Sequence, residues 1–143
     1  MFKDLVFLTN TDTAIGFVSQ NSDRLDDIKR RDSDKRYIRA VNSLSTLKDF
    51  SRVPKRFRNM VRRSKRSTFI IGGESFRVVD DDKHLLLLNR MKWAYTTSAN
   101  LSGCEYDEGF ARGGADVIIL PLRKNKNSSS IYKIGKGKIQ KIR

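Results

Sequence analysis

The chain is poor in the residues that carry most metal and thiol chemistry. Its 143 residues include one cysteine, Cys104, and one histidine, His84. A single cysteine excludes an internal disulfide, and His84 has no neighbour at metal-ligand spacing, so no metal site is expected. Apolar runs are short, such as Val117 to Leu120 and Leu85 to Leu88. None approaches the roughly 20 residues of a membrane span. The start of the chain lacks the pattern of a signal peptide. Together these absences predict a protein of a reducing, cytoplasmic compartment with no membrane partner. The nucleotide loops G-x-x-x-x-G-K-[ST] and G-x-G-x-x-G are missing, and so is the G-x-S-x-G elbow that would give His84 a serine to activate. His84 therefore reads as a polar residue on a helix, and Cys104 as packing.

Acid is scarce as well. Thirty Lys and Arg face 16 Asp and Glu, a formal charge of +14. Residues 52 to 66 hold eight basic residues and no acid, and residues 123 to 143 hold eight more and no acid. Ordinary surfaces intersperse the two signs, so this clustering points to a polyanionic partner.

What remains, 38% hydrophobic residues in 143, suits one domain with one core. The apolar patterns predict strands at Leu5 to Leu8, Tyr37 to Val41, Thr68 to Ile71, Glu74 to Val79, Ala94 to Thr97 and Asp116 to Leu120. A hairpin is expected from Ser130 to Ile134 and Lys138 to Ile142 around Gly135-Lys136-Gly137. Helices are expected after Ser22 as a cap, with Leu25 and Ile28 on one face; from Ser45 through Phe50; after Pro54, with Phe57, Met60 and Val61 inward; and over 81 to 92, with Leu85, Leu88 and Met91 inward. Asn125 to Ser130 reads as a mobile loop. Alternation of this kind predicts a single α/β domain, a twisted mixed sheet with helices packed on its convex side.

Three polar clusters stand where such a sheet binds ligands. Asn10-Thr11-Asp12-Thr13 follows the first strand. Lys29-Arg30-Arg31, with Lys35 beyond, offers a point charge and a bidentate fork for a phosphate or carboxylate, and Lys29 can converge with Arg31 if the segment is extended. Thr96 to Gly103 sets hydroxyls and an amide at a strand end. Each alone would more often be a turn or a cap.

In this order the clusters resemble the YrdC/Sua5/YciO family. The strand followed by Pro-Thr-Asp/Glu-Thr corresponds to Asn10 to Thr13, with Gly16 at the family's glycine. Lys29 and Arg31 match its Lys-x-Arg. Thr97 to Gly103 reproduces Thr-Ser-Ala-Asn-Leu-Ser-Gly intact, and this heptapeptide is the most specific signal. Phe76-Arg77-Val78 resembles the family's Ala-Val-Arg strand, Ser129-Ser130-Ile131 its Ser-Thr-Ile/Val strand, and Arg143 its late arginine. Asn10 stands where the family has proline. Arg63-Ser64-Lys65-Arg66 replaces its Trp-Pro-Gly-Pro, and Ala40 falls where many members carry histidine.

The resemblance implies a YrdC/RibB-like fold and threonylcarbamoyl-AMP synthesis. L-threonine, bicarbonate and ATP would give threonylcarbamoyl-adenylate and pyrophosphate for the modification of tRNA adenosine 37. Lys29 and Arg31 would clamp phosphate or carboxylate, while Ser98 and Asn100 would bond the nucleotide or intermediate. Thr11 and Arg77 would hold the amino acid, with Lys35, Thr97, Ser129 and Arg143 also lining the site. Magnesium would arrive with ATP, with no tightly bound cofactor. The basic surface would take tRNA or double-stranded RNA, and other tRNA-modification proteins would be partners. Two further readings are a non-catalytic RNA-binding module on the same fold and a subunit lending its cavity to a larger modification complex.

Overall fold

The computed structural model describes residues 2–31, 36–101, 103–123 and 129–143. Its elements run β1 (Phe7–Asn10), β2 (Ile15–Ser19), α1 (Ser22–Lys29), β3 (Ile38–Val41), α2 (Leu44–Lys48), a single 3-10 turn (Lys55–Phe57), α3 (Arg58–Arg63), β4 (Ser67–Ile71), β5 (Glu74–Val78), α4 (Asp82–Met91), β6 (Trp93–Ser98), α5 (Glu108–Gly114), β7 (Val117–Ile118), β8 (Ser130–Ile134) and β9 (Ile139–Lys141). One mixed sheet holds the nine strands in the order β7-β1-β2-β6-β3-β5-β4-β8-β9. Three pairings, β1 with β7, β3 with β5 and β4 with β8, are parallel, and the others are antiparallel.

Helices cover both faces, not one convex side as expected. On one face α4 packs Leu88 and Met91 against Val18, Ala40 and Ala94. Successive strand residues point to opposite faces, so Phe17, Val41, Phe69 and Phe76 lie on the other. There Phe17 meets Leu25 of α1 and Ala111 of α5, while Val41, Phe69 and Phe76 meet Leu47 of α2 and Val61 of α3. Two-sided burial explains β2, a strand absent from the sequence expectations. All five of its residues, Ile-Gly-Phe-Val-Ser, are buried, so no polar alternation marks it. Helix α5 was also unforeseen, because three of its seven residues are glycine. Gly114 explains one of them: a Cβ there would stand 2.8 Å from Ile28 of α1.

Local corrections follow from caps and burial. Asn21, not Ser22, caps α1, its side chain accepting the Arg24 amide. Ser43 caps α2, which ends at Lys48 before Phe50. The first strand starts at Phe7, not Leu5, and takes in Asn10. Strand β7 has two residues instead of five. Met60 is exposed and Leu85 half-buried, whereas His84 is buried. Cys104 is exposed rather than packed. Lys35 and residues 125–128 of the expected loop lie outside the described residues.

Candidate functional site

The C-terminal end of α1 and the end of β6 are joined by a buried lysine. Lys29, the last residue of α1, is 1% exposed. Its ammonium donates to the Thr97 hydroxyl at 3.1 Å and to the Ser98 carbonyl at 2.7 Å. Burial, with the Arg31 charge adding to it, lowers its pKa to about 8. Arg31 comes near it by a route different from the extended segment expected. Arg30 takes a left-handed conformation, φ 53° and ψ 47°, and closes the helix there. The Arg31 amide then bonds the Asp26 carbonyl, and its guanidinium lies 5.2 Å from the Tyr37 ring centre. At the end of β6 the Ser98 hydroxyl donates to Asn100 Oδ1 at 2.5 Å, and Asn100 Nδ2 to the Cys104 carbonyl at 2.5 Å. Lys29 and Ser98 thus touch, Ser98 reaches Asn100, and Arg31 is near enough to act on Lys29 through its charge.

A second network crosses the sheet on the α4 side. Arg77 of β5 pairs with Asp12 at 3.2 Å, both side chains under a tenth exposed. It also donates to the Thr13 hydroxyl at 3.2 Å and the Thr68 hydroxyl at 3.0 Å. Thr68 shares a hydrogen bond with Ser129 at 3.2 Å, and Arg143 donates to the Ser129 carbonyl at 3.0 and 3.1 Å. Arg77, Ser129 and Arg143, chosen separately from the sequence, are therefore linked. Of the connecting residues, Thr68 was not singled out, and Asp12 was noted only as part of the Asn10 to Thr13 cluster, without a partner. Each is an ordinary strand or turn residue, and only long-range pairing brings it to Arg77. The terminal nitrogens of Arg77 are engaged by protein, while its buried Nε–H has no acceptor among the described residues.

Gly16 connects the two networks. It pairs with Ser98 across β2 and β6. A Cβ there would lie 2.8 Å from the Thr97 carbonyl and 3.2 Å from the Thr11 methyl. Only glycine lets the Thr11 turn close on the end of β6. Thr11 shapes that turn: its hydroxyl donates to the Ala14 carbonyl at 2.7 Å and accepts the Ala14 amide at 3.2 Å. Thr11 and Asp12 also edge a cavity of about 590 Å³ whose walls mix Lys65, Arg66, Lys83 and Arg123 with Asp80, Asp81 and Asp82. His84, within reach of the Asp12 and Asp81 charges, is buried with both ring nitrogens lacking a partner among the described residues, and burial lowers its pKa. Among the described residues no group of three or more His, Cys, Asp or Glu is placed to hold a metal ion. No helix among them is long and apolar enough to cross a membrane.

No family model matches the chain. It is 27% identical over 143 aligned residues to an uncharacterised protein of Mycoplasma pneumoniae, covering 92% of this chain and 31% of that protein. The chain thus spans about a third of that relative. Among solved structures, Sua5 of P. abyssi complexed with L-threonine superposes with a TM-score of 0.79 at 16% identity, over 97% of this chain and 50% of that one. YciO of E. coli superposes with a TM-score of 0.77 at 18% identity, over 97% of this chain and 82% of that one. The nine-stranded mixed sheet and these likenesses define a single α/β domain of the YrdC/Sua5 fold.

Proposed function

We propose that this domain is a threonylcarbamoyl-AMP synthase-like enzyme acting on L-threonine, bicarbonate and ATP. The observation that carries the reading is Lys29, a buried ammonium held on Thr97 and Ser98 beside the Thr11 turn. No protein nucleophile is needed. The threonine nitrogen takes up the carbon of bicarbonate with loss of water. The carbamate oxygen then attacks the α-phosphorus of ATP, and pyrophosphate leaves. The protein has to hold the reactants together and meet the negative charge that moves to the phosphate oxygens. Lys29 keeps one N–H beyond the two it spends on protein, and Arg31 adds a second positive charge. Ser98 and Asn100 supply short neutral hydrogen bonds for the nucleotide or intermediate. Arg77, fixed by Asp12, Thr13 and Thr68, sets a positive charge in this row, and Ser129 with Arg143 extends the same polar row toward the amino acid. Magnesium enters with the ATP phosphates rather than on a carboxylate cage.

The test is pyrophosphate release that requires both threonine and bicarbonate. Lys29→Ala and Arg31→Ala are expected to cost about 100-fold or more in rate, and Ser98→Ala and Asn100→Ala less. Full activity in Lys29→Ala removes these roles, and no threonine-dependent release at all removes the enzyme reading.

A second reading, an RNA-binding module, is favoured by one specific contact. Arg56 donates to the Gly137 carbonyl at 3.3 Å, tying the basic turn before α3 to the basic β8–β9 hairpin. The basic turn and the hairpin thereby lie side by side as a positive patch, of the kind that binds phosphate backbones without reading sequence.

A further inference from the structure

On the sheet face opposite Arg77, Arg39 of β3 sits in a box of aromatic rings. Its guanidinium carbon is 4.2 Å from the Phe50 ring centre, 5.1 Å from those of Trp93 and Tyr95, and 5.8 Å from that of Phe76. Phe50 meets Trp93 edge-on, and Trp93 meets Tyr95 in the same way, so the box supports itself. One terminal nitrogen of Arg39 donates to the Tyr95 hydroxyl at 2.8 Å. The other lies 3.5 Å from the Glu74 carboxylate. The Nε–H is buried and has no acceptor among the described residues. A guanidinium carries five donors. This one is held rigidly and left under-satisfied, which costs stability unless an acceptor arrives.

The side chain opens on a cleft of about 220 Å³ between α1 and strands β3, β5 and β6. Arg36 and Asp23 also line it, and neither makes a side-chain bond among the described residues. Asp26 is taken by the Tyr37 hydroxyl at 2.6 Å. A simple anion would face Asp23, Asp26 and Glu74, and a simple cation would face Arg36 and Arg39. A ligand bearing both charges meets both sets. The volume equals roughly seven waters at about 30 Å³ each, the scale of a single amino acid.

We propose that this cleft is a second ligand site, for a free α-amino acid. Its carboxylate would lie against Arg39 and Arg36, and its ammonium against Asp23. The aromatic box acts as a preorganised cation holder, so little ordering is needed on binding. This proposal does not rest on the roles given to Lys29 and Arg77.

The test is a titration of the full chain, nitrogen-15 labelled, with each proteinogenic amino acid in turn. Acetate and methylamine serve as probes carrying one charge only. At least one amino acid is expected to shift the Arg39 Nε–H and Trp93 indole N–H signals with saturation at millimolar concentration or below. Asp23→Asn, an exposed change in the first turn of α1, should weaken that binding about tenfold, and Lys29→Met should leave it unaltered. Three results overturn the proposal: no shift at Arg39 with any amino acid up to about 10 mM, equal shifts with acetate, or binding indifferent to Asp23→Asn. Threonine-induced shifts at Arg77 alone also count against it while supporting the function proposed above, so the two fail separately.

Discussion

Lys29 is placed where its charge is both costly and useful. The unfolded chain holds its proton to about 10.5, whereas the folded chain releases it near 8. Between those values the unfolded state binds more protons, so this group makes stability rise with pH over that window; below about 8 its penalty is constant. Lys29→Met keeps the stem and removes the charge. The variant is expected to lose the stability rise between pH 8 and 10.5 in denaturant titrations, and to lose activity. In the wild type, affinity for pyrophosphate should fall as pH passes about 8. His84 has the same sign in a lower window. Its folded pKa is depressed, so stability falls as pH drops below the ordinary imidazole value of about 6.5. The Asp12–Arg77 pair carries more. Asp12→Ala leaves a buried guanidinium without its counter-charge, and unfolding free energy should drop by about 3 kcal/mol or more. Of these residues Lys29, Arg31, Ser98, Asn100 and Arg77 were legible in the sequence, because they sit in compact motifs. Thr68 and His84 were not, since what distinguishes them is burial and long-range pairing, and the Asn10 to Thr13 motif gave no sign that Asp12 pairs with Arg77.

Close backbone approaches decide how the elements meet. Gly16 lets β2 pass the Thr11 turn and β6, and Gly114 lets α5 rest on α1. Gly16→Ala pushes a methyl against a backbone carbonyl that cannot turn away, so it is expected to destabilise by about 1–3 kcal/mol and to impair turnover. The basic surface is an element-scale feature too. Arg58 bonds the Val53 carbonyl at 3.0 Å, so its replacement tests folding as well as binding. Arg56 bonds the Gly137 carbonyl in the same way, so Arg62 and Arg63 are the cleaner pair. Their joint change to glutamate should weaken RNA binding far more than any neutral substitution, and wild-type affinity should fall steeply with salt. Affinity insensitive to salt in a filter-binding series contradicts the phosphate-driven mode. The sequence showed helices and strands where apolar spacing was regular, as in β4, β5 and α4. It hid β2 and α5, where two-sided burial erased alternation and glycines replaced helix formers. The Arg39 box gave no local signal, because Phe50, Phe76 and the Trp93–Tyr95 pair come from three separate stretches.

At the scale of the whole molecule, one sheet separates two chemistries. The α4 face carries the Arg77 row, and the opposite face carries both the Lys29 cluster, where α1 meets the end of β6, and the Arg39 cleft. The YrdC/Sua5 fold was legible because its motifs recur in order along nearly the whole chain, and the superpositions on Sua5 and YciO bear that reading out. The central claim is that the Lys29 end of this sheet joins threonine, bicarbonate and ATP. The most direct measurement is a single-turnover reaction with labelled bicarbonate, following its transfer into an adenylate. The account predicts label in a threonine-dependent adenylate, formed with one pyrophosphate and reduced about 100-fold in Lys29→Ala. Absence of label in the adenylate with the wild-type chain, alone and with tRNA-modification proteins added, would contradict it.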